Sequence, residues 1–213
     1  MSLLMMALGG FLHVSGPRSA MAETMSFMNT TVAISDRLLS VSSMECRLLF
    51  LLEDGHSADA TIRWLAPEMI RVDIRQGAGT NKTLWITDSD VAVVDRIDRS
   101  FKEYESVAKV ADPLFEPATG FLSPERLSEA IYGKWKPKQY KVLENGERLI
   151  LVYTNSEGKT LVEMTVDLSN DLPTSIKKFS SKGADSEAAK EQILEARFVW
   201  DEPISSQLMI PEP

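Results

Sequence analysis

Apolar residues recur along this chain with two different periods. At Phe27, Ile34, Leu38 and Val41 the steps are seven, four and three, which put one apolar stripe on a helix over residues 25–41. The Ser42-Ser43 pair ends it. Residues 44–52 are strongly apolar and read as a strand, closed by the turn Glu53-Asp54-Gly55-His56. Residues 61–75 read as a strand, a break at Ala66-Pro67 and a second strand. Pro67 has no amide hydrogen and pushes Ala66 away from helix, so the break is covalent in origin. Beyond it Ile70, Val72 and Ile74 alternate with Arg71, Asp73 and Arg75, giving one apolar and one charged face.

The alternation continues. Residues 82–87 form a short strand with Leu84, Trp85 and Ile86; Asp88-Ser89-Asp90 turns the chain, and residues 91–95 run back. Residues 96–105 are charged and read as an edge strand or loop. Pro113 and Pro117 keep residues 111–120 from being regular helix or central strand. Ser123-Pro124-Glu125 then opens a helix: a cap, a first-turn proline and an acid at the positive end of the dipole. Leu127, Ala130 and Ile131 form its apolar face and Gly133 stops it. Everything after that is strand. Residues 139–143 and 148–153 flank Asn145-Gly146, a strong hairpin signal. A turn at 155–159, strands at 161–168 and 174–180, a polar loop at 181–190 and a strand at 192–200 complete the chain. Roughly ten strands with short connections imply a mostly antiparallel sheet.

Composition narrows the function classes. Residues 3–12 are almost wholly apolar, the length of a secretion-signal core and too short to span a bilayer. Ser19-Ala20-Met21-Ala22 offers small residues for cleavage after Ala22, so residues 1–22 are expected to be a signal and 23–213 a single domain. No Lys or Arg precedes the apolar run, the one signal feature that is missing. The net charge of −8 argues against nucleic acid as a partner, which needs clustered cations. Cys46 is the only cysteine, so no internal disulfide forms; it reads as a small buried residue. His56 falls in a turn. No nucleophile elbow, phosphate loop or zinc-spaced ligand set occurs, and no catalytic residue, metal or cofactor is expected.

Four stretches resemble one family. Arg37-Leu38-Leu39-Ser40-Val41-Ser42-Ser43-Met44 is similar to a leading helix entering a first strand. Ile62-Arg63-Trp64-Leu65-Ala66-Pro67 with Ile70-Arg71-Val72 forms a Trp-bearing strand, a Pro break and a strand. Lys82-Thr83-Leu84-Trp85-Ile86-Thr87-Asp88 and the C-terminal third around Leu172-Pro173, Phe198 and Ile210-Pro211 complete the likeness. In order and spacing they resemble the LolA-type periplasmic lipoprotein carriers over most of residues 25–213. The resemblance implies an α+β, mainly β fold: an unclosed antiparallel half-barrel with helices covering the concave face. It also implies a periplasmic, peripheral protein that binds acyl chains of lipoproteins or related lipids without covalent chemistry. Its partners would be an inner-membrane release complex and an outer-membrane acceptor. The family's usual Arg before the break is Ala66 here, with Arg63 and Arg71 nearby in sequence.

Shielding a chain of ~14 methylenes is worth on the order of 10 kcal/mol, at about 0.8 kcal/mol each. The expected lipid-binding residues are Ile62, Trp64, Ile70, Val72, Leu84, Ile86, Val162, Met164 and Phe198. Each also suits an ordinary core. The rival readings are an envelope sensor of the same fold, binding lipid or peptide, and a secreted hydrolase using carboxylates.

Overall fold

The computed structural model describes residues 17–210, apart from residues 53, 78, 89, 132–138, 146–147, 155–158 and 181–191. Helix α1 spans Pro17–Leu38. It starts before the expected cleavage point, runs through Ala22 and ends earlier than the periodicity suggests. The expected features at residues 1–16, Gly133, Gly146, 155–158, 181–190 and Pro211 lie outside the described residues.

Strands β1 (Ser43–Leu51), β2 (Ser57–Leu65), β3 (Met69–Gln76), β4 (Thr80–Ile86), β5 (Val91–Asp95) and β6 (Ser100–Tyr104) follow in order. Two 3-10 segments, Val107–Lys109 and Pro113–Phe121, then lead into the short helix α2, Pro124–Glu129. Strands β7 (Gln139–Asn145), β8 (Arg148–Thr154), β9 (Thr160–Asp167), β10 (Leu172–Phe179) and β11 (Gln192–Trp200) return. A last 3-10 segment, Ser206–Met209, ends the described chain.

All eleven strands form one antiparallel sheet in the order β6-β5-β4-β3-β2-β1-β11-β10-β9-β8-β7. The two ends of this order do not pair, so the sheet is an open half-barrel. Its centre is β1 against β11, pairing Cys46 with Phe198 and Leu48 with Ala196. The charged segment after β5 supplies the edge strand β6. The pieces that cover the sheet come from the chain between the two edge strands β6 and β7, and from α1.

Alternation sets the faces, because side chains on a strand point to opposite sides in turn. One row across the concave side runs Val93, Leu84, Val72, Ile62, Cys46 and Phe198. Ile34 and Leu38 of α1, Phe115, Ala118 and Phe121 of the second 3-10 segment, and Leu127 after it close over this side in one apolar cluster. The convex side carries the charges: Arg63 pairs with Glu45 and Asp73, and Arg71 with Asp73, at 2.9–3.1 Å. Pro173 sits at a register shift in β10, where a residue without an N–H does least harm to the ladder. Its carbonyl accepts from Trp200 Nε1 at 2.6 Å.

Candidate functional site

Three contacts hold the cover in place, two to the sheet and one within the cover itself. Phe121 is fully buried, with its ring 6.2 Å from that of Phe198, which in turn stacks on Trp200 at 5.2 Å. Ser35 of α1 and Ser128 of α2 share a hydroxyl–hydroxyl hydrogen bond, joining the two helices of the cover. Lys82, on the concave side of β4, reaches Asp112 at 2.7 Å and lies 3.8 Å from Asp95. Asp112 also caps the second 3-10 segment by accepting from the Leu114 N–H. Lys82 therefore links the sheet to the start of the cover.

Arg63 and Arg71 occupy odd positions whose side chains face outward: Arg63 is engaged by Glu45 and Asp73, and Arg71 by Asp73 and the Leu208 carbonyl. Neither reaches the cover. Lys82 does so from the Lys-Thr-Leu-Trp strand. The hydrogen bond to Asp112 raises its amine above the ordinary 10.5, against the opposing effect of desolvation. For a cation with a raised folded pKa, the contribution is complete below the unfolded value and fades as pH climbs through the folded one. The link should thus hold from neutral pH to about 10.5 and fail above. The difference in folding stability between the protein and its Lys82→Met variant should stay flat across the lower range and shrink only beyond it.

Between β3 and β4 and the cover lie two adjoining cavities. One, of about 400 Å³, is walled by Leu84, Val107, Val110, Phe115 and Leu122, with Asp112, Glu116 and Thr119 at its polar end. The other, of about 450 Å³, is walled by Ile70, Ile86, Leu122 and Ala130, with Arg126 and Glu129 on its rim. They share Val107, Ala108, Thr119 and Leu122. Each falls within the roughly 300–1,000 Å³ of ordinary small-molecule sites, and the walls are mostly apolar, as such sites usually are.

Of the expected lining residues, Ile70 and Ile86 wall the second cavity and Leu84 the first. Ile62, Val72 and Met164 are fully buried in the core, and Trp64, Val162 and Phe198 nearly so. All nine belong to the one apolar cluster or pack against it. Only three of them touch the open space, because the cover already occupies the middle of the trough. Sequence reasoning missed the opposite wall: Val107, Val110 and Leu122, with the rim pair Arg126 and Glu129. One signal for it was present. Phe115, Ala118 and Phe121 recur every third residue, the period of a 3-10 turn with one face inward.

His56 and Cys46 lie away from the two cavities. His56 is exposed in its turn, its Nδ1 3.2 Å from Asp54. Cys46 is fully buried, and burial pushes its thiol pKa far up, which makes it inert. Among the described residues, no group of three or more His, Cys, Asp or Glu is placed to hold a metal ion. No described helix is long and apolar enough to cross a membrane.

No family model matches the sequence, and no curated protein does. Solved structures do. LprF from Mycobacterium bovis superimposes with a TM-score of 0.52 at 9% identity, over 87% of this chain and 97% of that one. An uncharacterized conserved protein from Thermus thermophilus gives 0.50 at 11% identity, over 88% and 94%. A LolA superfamily protein from Nitrosomonas europaea aligns over 86% and 97% at 9% identity, with a TM-score of 0.36 that carries no weight alone. The fold is LolA-like. At these identities the likeness is one of architecture: an open antiparallel sheet with a helical cover on its concave side. Within this LolA-like fold, the cavities under the cover are where a ligand has room.

Proposed function

We propose that this protein is a periplasmic carrier that holds the acyl chains of an outer-membrane lipoprotein or a related lipid by non-covalent contact alone. The observation that carries this reading is the pair of adjoining apolar cavities between β3, β4 and the cover. Transfer of methylenes from water into such space is favourable by about 0.8 kcal/mol each, enough for micromolar binding from part of one chain. Ile70, Leu84 and Ile86 would touch the chain directly. The six deeper residues would support them, and would line more of the trough if the cover lifts. An inner-membrane release complex and an outer-membrane acceptor would supply and receive the cargo, and a signal at residues 1–22 would take the chain to that compartment.

Displacement of a fluorescent fatty acid tests this. The protein should bind the probe with micromolar affinity, and protein purified without detergent should carry lipid detectable by mass spectrometry. A protein that neither binds the probe nor carries lipid would defeat the reading.

A further inference from the structure

We infer that the cargo carries a zwitterionic head group, a phosphate joined by a short link to a primary ammonium, held at the mouth of the second cavity by Arg126 and Glu129. This rests on the acyl-binding reading above and adds the head-group class. Arg126 Nη1 lies 3.4 Å from Glu129 Oε2, three residues on, and both side chains line that cavity. They are 65% and 69% exposed, so the pair does little for folding and is available for exchange. Deeper in, Ile70, Ile86 and Leu122 leave the tails an apolar wall.

The balance of charge selects the partner. Among the described residues lining the two cavities, Arg126 is the one cation, while Asp112, Glu116 and Glu129 are acids. Lys82 already engages Asp112. Such a lining offers a head group that also carries a cation a second partner, Glu129, which a purely anionic group cannot use. A phosphate–ammonium group fits both rim charges. The planar donor fork of Arg126 takes phosphate oxygens, and the ammonium donates to Glu129 where the guanidinium did. One exposed ion pair becomes two, with no charge left over.

Soluble dioctanoyl phosphatidylethanolamine and dioctanoyl phosphatidylglycerol, each competing with the bound fluorescent fatty acid on the full chain, separate the outcomes. The ethanolamine lipid should displace the probe at a concentration at least about threefold lower, the scale of one exposed ion pair. Glu129→Gln should erase that preference by weakening the ethanolamine lipid alone, and Arg126→Gln should weaken both lipids. Both positions are exposed, so the variants keep the fold. Equal displacement by the two lipids, or a preference that survives Glu129→Gln, overturns the head-group assignment and leaves acyl binding standing. A protein that does not bind the probe overturns both together.

Discussion

Phe121→Ala should remove about 3–5 kcal/mol of folding free energy, the usual cost of truncating a fully buried phenylalanine. Phe121 is the main apolar anchor between cover and sheet. It has no exposed surface, its ring lies 6.2 Å from that of Phe198, and Lys178 Nζ of β10 sits 5.1 Å from its ring centroid. Removing the ring leaves a void whose walls are fixed by the β-sheet, so little of it can collapse. The loss would be a large share of the roughly 5–15 kcal/mol that holds a typical domain together. Urea titration should show a lower midpoint at an unchanged slope. A loss below about 1 kcal/mol would mean that the cover is not docked on Phe198 in solution.

Ala108→Trp should do the reverse, abolishing most binding while sparing the fold. Ala108 is exposed, on the first 3-10 segment, and lines both cavities where they join. An indole there can enter the shared neck and take the place of several methylenes of ligand. Affinity for the fluorescent fatty acid should fall on the order of tenfold or more, ~1.4 kcal/mol. The urea midpoint should move by no more than the ~0.5 kcal/mol typical of surface changes. Unchanged affinity in the folded variant would place the ligand elsewhere. The two substitutions thus pull apart properties that the deep lining residues mix, since a change at Ile62 or Val72 touches core and trough at once.

The sheet was legible because half of it is wet. Ile70, Val72 and Ile74 betray β3 by alternating with charged neighbours, and a slip of one residue would have turned Arg71 and Asp73 inward. β5 is buried on both faces from Val91 to Val94, so its alternation is lost and its turns define it instead. The concave side could be named from the strands alone. The helical parts of the cover were legible too, from Ile34 and Leu38 and from the Ser123-Pro124-Glu125 start, but its 3-10 part was not. Residues 107–121 form short 3-10 turns around two prolines, which carry no long period to recognise. Arg126 and Glu129 look like any solvated pair on a helix, and only the cavity beside them sets them apart. The Lys82–Asp112 link joins positions 30 apart, beyond the reach of any local pattern.

The strand order has a mechanical consequence. β6 and β7 are the two rims of the trough, and the second 3-10 segment and α2 belong to the single stretch of chain strung between them. Such a strap is tethered at both ends and can slacken but never drift off. On the acyl-carrier reading proposed above, loading and unloading demand only a bounded lift, after which the tether brings Phe121 back over Phe198 without a search.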